Sequence, residues 1–319
     1  MATAEVGNAA YGEDPTVNRL EERAAELLGM ECGLYVPSGT MGNQIAIKTH
    51  THHGEEVILE SESHVFHKEI GAMAALSGVL ARPIPSESGV LPVDAVEAAI
   101  RPRSNKEAQT GLVCLENTHN RRGGTIYPLP AAREVIELSH SRDLPVHLDG
   151  ARIFNASVAT GLSVEELVGG FDSVMFCLSK GLGAPVGSVL VGSRSFIDAA
   201  RRFQKMFGGA MRQAGIIAAA GLYALDHHVE RLAEDHEKAR SLAEALEGLE
   251  RVDVSDVETN IAILRLRDMP ASGFTERMRE NDVLVNPIAK DKVRLVTHLD
   301  VSHAEVLQAA ETMRATLEG

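Results

Sequence analysis

The sequence predicts an α/β fold: a large, mostly parallel sheet sandwiched by helices, followed by a smaller α+β domain at the C-terminal end. Three observations lead there. Short continuous apolar runs alternate with helical patterns along the first two thirds of the chain, as strands buried on both faces require. From about Ala210 the texture changes to an Ala-rich and then a charged helical stretch, followed by two strand-like runs. The length, 319 residues, exceeds the ~250–300 at which a single core stops growing.

Each element has a local reason. Pro15 after Asp14 opens a helical pattern through Leu20, Ala24 and Leu27 that stops at Gly29. The apolar run Cys32–Val36 meets the turn Pro37-Ser38-Gly39-Thr40 and a second helix. Further strands are expected at 57–59, 112–115, 146–148, 174–178 and 188–191, with a helix over 129–141 among the segments between them. After the Ala-rich stretch, the charged helix 231–249 precedes strands at 261–266 and 293–296 and a closing helix from Ser302. The expected division is 1–225 and 226–319, with 1–10 as part of an N-terminal helix.

Composition narrows the function classes. With 31 Lys and Arg against 45 Asp and Glu, the net charge is −14, which disfavours nucleic acid or an anionic membrane as partner. An anionic small molecule needs only a few local cations. Aromatics are 4% with no Trp, so the core must be aliphatic. No signal peptide and no apolar stretch of membrane-spanning length is visible. Cys32, Cys114 and Cys177 form no C-x-x-C pair and read as reduced thiols, so a cytoplasmic location is expected.

Nucleotide motifs fail: Gly181-Leu182-Gly183 precedes Gly187 at the wrong spacing for G-x-G-x-x-G, and no P-loop occurs. Three other segments carry chemistry. In residues 34–43, a strand ends in a small-residue turn that opens a helix, so N–H groups of Gly39 and Thr40 would face a phosphate. Taken alone, a plain N-capped helix is the simpler reading. In residues 146–152, Asp149 ends a parallel strand, where α/β proteins place ligands, and Arg152 could hold a carboxylate. A helix-capping Asp paired with Arg152 reads equally well. In residues 176–187, Lys180 follows an apolar strand and precedes a run of glycines. Partial desolvation there would make its amine available for imine formation; the alternative is a buried Lys neutralised by a carboxylate. A phosphate cradle, an Asp for a pyridinium nitrogen and an imine-forming Lys are together what pyridoxal 5'-phosphate requires.

At this point the chain resembles the low-specificity L-threonine aldolases, within the aspartate-aminotransferase-like (fold type I) pyridoxal phosphate enzymes. The resemblance rests on Tyr-Gly-Glu-Asp-Pro-Thr (11–16), Val-Pro-Ser-Gly-Thr-Met-Gly-Asn (36–43), Glu-Asn-Thr-His-Asn (116–120), His-Leu-Asp-Gly-Ala-Arg (147–152), Ser-Lys-Gly-Leu (179–182), Gly-Gly-Ala-Met-Arg-Gln-Ala-Gly (208–215) and Arg-Leu-Val-Thr-His (294–298). It implies cleavage of L-threonine and L-allo-threonine to glycine and acetaldehyde. By resemblance, Lys180 carries the cofactor, Asp149 pairs with its ring nitrogen, Gly39 and Thr40 bind its phosphate, and His64 stacks on its ring. Arg152 and Arg294 would hold the substrate carboxylate, and His119 would lie near the β-hydroxyl, with His119 or a bound water preferred over His64 as base. Tyr11 and Arg212 would reach the site of a neighbouring subunit in a homodimer or homotetramer. β-Elimination, racemisation or an impaired member are the alternatives. The impaired reading is motivated by the start at Met1-Ala2-Thr3-Ala4-Glu5, which reads as the end of the family's first helix, without the Asp-x-Arg-Ser-Asp-Thr segment that usually precedes it. No metal site is expected: His50, His52 and His53 read as a solvated helix end, and 231–240 as an exposed charged face.

Overall fold

A computed structural model describes residues 1–318. Seven strands, β1 (Cys32–Val36), β2 (Glu56–Glu60), β3 (Leu80–Ile84), β4 (Thr110–Glu116), β5 (Val146–Asp149), β6 (Ser173–Cys177) and β7 (Ser188–Gly192), form one sheet in the order β1-β7-β6-β5-β4-β2-β3. Only β7 runs against its neighbours; the β6–β5–β4–β2–β3 pairings are parallel. Strands β2, β5, β6 and β7 are buried at every residue; β6, β7 and the middle of β2 accordingly read as apolar runs, whereas β5 carries His147 and Asp149. The second sheet is antiparallel, with β8 (Val252–Val254), β9 (Ile261–Leu266), β10 (Asn286–Pro287) and β11 (Lys292–Val296) in the order β10-β11-β9-β8. Its own core, built on Leu264, Phe274, Met278 and Met313, is separate from the core under the large sheet.

Strand β3 was not expected from the sequence. It is an edge strand with Leu80 and Pro83 exposed, and an edge tolerates a proline that a central strand would not.

Three expectations are corrected. Residues 1–8 carry no helix; only a short 3-10 turn, Ala9–Tyr11, precedes the helix Pro15–Leu27. The segment instead lies extended against that helix's start, where the buried Asp14 carboxylate collects the N–H groups of Gly7 at 3.2 Å, Thr16 at 3.1 Å, Val17 at 3.0 Å and Gly215 at 2.9 Å. Such a capping carboxylate satisfies orphan donors from three parts of the chain at once. His50 is not a solvated helix end: its ring stacks on Phe196 with centroids 4.5 Å apart, and Nε2 lies 2.8 Å from Ser173 Oγ. The 231–240 run is not uniformly exposed. Asp235, His236 and Lys238 are buried. Lys238 Nζ donates to Asp235 Oδ1 at 2.9 Å and to the carbonyl of His298 at 3.1 Å. A charge buried this way needs such partners, and here they tie the helix Leu232–Leu246 to the turn after β11.

Burial holds three histidines neutral: His147 at a pKa of about 3, His50 at about 4 and His236 at about 4, against an ordinary 6.5. The unfolded chain therefore binds more protons than the folded one between pH 6.5 and about 3. Stability from these groups is complete above pH 6.5 and is lost as pH falls through that window. Thermal unfolding midpoints should drop by several degrees from pH 7 to pH 4.5, about what one or two kcal/mol produces. His236→Gln should give a shallower profile; an identical slope would contradict the assignment.

Candidate active site

The C-terminal ends of the parallel strands converge on one cleft, the usual ligand position of an open α/β sheet. Asp149 ends β5, Glu116 ends β4 and Glu60 ends β2, while Lys180 follows β6 by three residues. The loop carrying Lys180 folds back on itself. Gly183 N–H donates to the Lys180 carbonyl at 2.8 Å and Ala184 N–H to that of Leu178 at 3.0 Å. Gly183 and Gly187 both have positive φ, at 73° and 110°. Added side chains would run into Leu299 at the first and the Tyr35 ring at the second, so the glycines are required by close approach as well as by backbone conformation. Lys180, Arg152, Ser179, Asn260 and His298 line one open cavity between the two sheets.

The helix Gly39–His50 points its N-terminus at this edge. Ser38 is its cap: Ser38 Oγ accepts from Met41 N–H at 3.2 Å and the Ser38 carbonyl from Gly42 N–H at 3.1 Å. The N–H groups of Gly39 and Thr40 have no partner within the helix, as first-turn donors do not. A Cβ at Gly39 would sit 2.8 Å from Cys177 Sγ, so the turn packs directly on the end of β6. Free donors at a helix start suit a phosphate.

Two guanidinium groups meet on a single amide. Arg294 donates to Asn120 Oδ1 at 2.7 Å and Arg152 at 3.4 Å. The Nε atoms of both arginines are buried without a partner, and neither arginine forms a salt bridge among the described residues. Burial lowers the pKa of Arg152, with the Arg294 charge adding to it, and burial likewise lowers that of Arg294. Two desolvated cations with spare donors and no direct salt-bridge partner form a receptor for a carboxylate. Asn120, the last residue of the Glu-Asn-Thr-His-Asn motif, was not singled out by sequence reasoning, although the motif contained it.

A second cluster surrounds Asp149. Asn43 Nδ2 donates to Asp149 Oδ2 and to Glu69 Oε1, both at 2.9 Å, and Gln44 Nε2 donates to Glu69 Oε2 at 2.6 Å. His64 Nδ1 lies 3.2 Å from Glu69 Oε1. Burial alone would lower the His64 pKa, but the Glu69 hydrogen bond and the charges of Asp149, Glu69 and Glu116 outweigh it, and the net direction is up. Burial raises that of Glu69. His64, Glu69 and Asp149 thus come together; Glu69, on a bend after the short helix His64–His67, carried no signal in sequence, and Asn43 entered only as the last residue of the motif 36–43.

His119 sits deeper than the resemblance implied. It is 1% exposed, its Nε2 lies 3.0 Å from Glu60 Oε2, and its Nδ1 has no partner. Glu116 links the two halves of the site instead: Oε2 accepts the His64 N–H at 2.6 Å and Oε1 the Asn120 N–H at 2.9 Å. Glu116→Ala would strand two partly buried donors, His64 N–H and Asn120 N–H, at about 1 kcal/mol or more in total. The thermal midpoint should fall and the affinity for a carboxylate ligand should weaken together; a midpoint unchanged in calorimetry would contradict this role.

Tyr11 and Arg212 lie apart from this cavity. Arg212 Cζ is 5.8 Å from the Tyr11 ring centroid, and Tyr11 is 73% exposed.

This geometry fits pyridoxal 5'-phosphate: free helix donors for the phosphate, Asp149 for the ring nitrogen, and a lysine on a fixed turn. The fold and site define a pyridoxal phosphate enzyme of fold type I. The chain belongs to the beta-eliminating lyase family, which it matches over residues 1–269, and it is an aldehyde-lyase. It is 45% identical over 318 residues to the low specificity L-threonine aldolase of Escherichia coli K12, covering 99% of this chain and 94% of that one. With low-specificity L-threonine aldolase 1 of Arabidopsis thaliana it shares 42% identity over 315 residues, 96% of this chain and 88% of that one. Among solved structures, the threonine aldolase of Leishmania major superposes with a TM-score of 0.83 at 22% identity, over 99% of this chain and 92% of that one. The Sphingomonas wittichii serine palmitoyltransferase gives 0.77 at 19% identity, over 98% and 79%; likeness at these identities speaks for the fold alone.

Proposed function

We propose that the protein cleaves L-threonine and L-allo-threonine to glycine and acetaldehyde, with Lys180 as the attachment point of the cofactor. The observation that carries this reading is the convergence of Arg152 and Arg294 on Asn120, with Arg152 and Lys180 lining one cavity and Asp149 at the end of the adjacent strand β5. When bound, the cofactor supplies an electron-accepting ring conjugated to the substrate's amine-bearing carbon.

The residues of the chain do the rest. Arg152 and Arg294 would fix the substrate carboxylate, which orients the substrate and so selects the bond that breaks. Asp149 holds the proton of the ring nitrogen. Gly39 and Thr40 anchor the phosphate, and His64 covers the ring face. His64 Nδ1 is engaged by Glu69, and His119 is turned toward Glu60. In this reading a bound water takes the β-hydroxyl proton and passes it to His119 Nδ1, which has no hydrogen-bond partner among the described residues.

Tyr11 and Arg212 complete the site of a second copy in this reading. Support comes from an exposed aromatic ring held by a cation at the surface, with Met206 and Ile216 also exposed in the chain flanking Arg212. The assembly is a homodimer or homotetramer. A cytoplasmic place in threonine breakdown and glycine formation is part of the same proposal; among the described residues, no helix is long and apolar enough to cross a membrane.

Borohydride reduction of the loaded protein, followed by peptide mapping, tests the attachment. The cofactor adduct should be found on Lys180; an adduct on another lysine, or none, would overturn the reading.

A further inference from the structure

Behind Asp149 a file of polar side chains crosses the interior of the sheet. Asn43, His147 and Ser173 are fully buried, and His50 closes the file at the end of the helix Gly39–His50. The direction of each hydrogen bond can be deduced. Asn43 Nδ2 is 2.9 Å from carboxylate oxygens of both Asp149 and Glu69. Ionised carboxylates only accept, so the amide nitrogen faces them and Asn43 Oδ1 faces His147 Nε2, 3.1 Å away. His147 must therefore carry its proton on Nε2.

Because burial keeps this ring neutral, Nδ1 is bare and accepts from Ser173 Oγ at 2.8 Å. The single hydroxyl proton of Ser173 is then committed, and its oxygen accepts from His50 Nε2 at 2.8 Å. The opposite tautomer of His147 could donate from Nδ1 to the Ser173 carbonyl at 3.2 Å, but it would set a bare Nε2 against Asn43 Oδ1, two acceptors in contact. Every bond in the file thus donates toward Asp149. The second Asp149 oxygen, Oδ1, accepts from Ala151 N–H at 3.1 Å.

We propose that His50, Ser173, His147 and Asn43 form a one-way hydrogen-bond relay that holds Asp149 as an anion and aims it at the ring nitrogen of the cofactor. All four are positioning residues, and none touches substrate. The inference rests on the reading of Asp149 as the ring-nitrogen partner. Aligned donors polarise one another in a low-dielectric interior, so the far members act on Asp149 without touching it. His50 makes the relay sensitive to its outer surroundings, where Phe196 stacks on the ring and the Asp172 charge acts on it.

The test uses the holoenzyme with ¹⁵N-labelled histidine and, separately, with pyridoxal phosphate labelled at the ring nitrogen. Long-range ¹⁵N–¹H spectra at pH 7 should show His147 and His50 as neutral rings protonated on Nε2. Ser173→Ala should move the cofactor ring-nitrogen shift toward its unprotonated value and weaken cofactor affinity by about tenfold; Ser173→Thr, which keeps the hydroxyl, should restore both. A His147 proton on Nδ1, or a cationic His147, overturns the relay. So does a ring-nitrogen shift and affinity unmoved by Ser173→Ala. Wild-type protein in which the labelled ring nitrogen shows no interaction with Asp149 overturns the reading of the site instead, and leaves the histidine tautomers to be judged on their own.

Discussion

Lys180→Ala should abolish both the visible absorbance of the bound cofactor and the release of glycine, with a loss in turnover on the order of 10⁴-fold or more. No other lysine lines the cavity among the described residues. The tight turn between β6 and β7, closed by the Gly183 N–H on the Lys180 carbonyl, is a backbone feature that alanine preserves, so the fold should survive. The variant should therefore unfold at the temperature of the cofactor-free wild-type protein while losing its colour. Retained colour and turnover would mean that the cofactor is held elsewhere.

The second large effect concerns the paired arginines. Arg152→Lys keeps a charge but loses the planar fork that lets one group hold two oxygens. Arg294→Ala removes the donor that lies 2.7 Å from Asn120. Loss of one charge-assisted contact of about 1.5–3 kcal/mol corresponds to a fall of roughly 10- to 150-fold in kcat/KM. Because the carboxylate also sets the bond geometry, kcat should fall together with the rise in KM. Steady-state kinetics of each variant distinguish this from simple binding loss, in which KM alone would rise. The double variant should lose less than the product of the two single losses, since both groups serve one carboxylate.

How much of this was legible in the sequence depended on how local each signal was. Fully buried strands such as β6 and β7 announce themselves as apolar runs. Asp149, Arg152 and Lys180 sit at strand ends, where short motifs keep their residues together. Strand β3 was illegible because its exposed Leu80 and its Pro83 belong to an edge, where neither pattern nor burial is strict. The polar cluster was hidden for a different reason. Asn43 meets Asp149 across 106 residues, and Asn120 meets Arg294 across 174. Asn43 closes the motif 36–43, but nothing in that motif shows that its amide reaches Asp149. The charged run 231–240 misled because composition reports charge and not the partner that neutralises it: Lys238 finds Asp235 and the His298 carbonyl only in the folded chain. His50 misled in the same way, since its ring is buried by Phe196, a residue 146 positions later (196 − 50).

The helix-like start was a misreading with a clear physical origin. Met1–Ala4 has helix-compatible composition, but Asp14 and Thr16 offer this segment stronger alternatives. Thr16 Oγ1 donates to the Glu5 carbonyl at 2.7 Å and Asp14 takes the Gly7 N–H at 3.2 Å, which holds the chain extended. The same Asp14 carboxylate reaches Gly215 at 2.9 Å, so the segment is braced against the helix that follows Arg212. This arrangement fixes the surface on which Tyr11 and Arg212 meet.

The central claim is that this cleft breaks the Cα–Cβ bond of a β-hydroxy-α-amino acid. Purified protein loaded with pyridoxal phosphate and given L-threonine tests it directly, with glycine and acetaldehyde measured in parallel. The two should accumulate in equal amounts, with no ammonia. Ammonia with a 2-oxo acid would show β-elimination instead, and recovered threonine with inverted stereochemistry would show racemisation; either result would contradict the account.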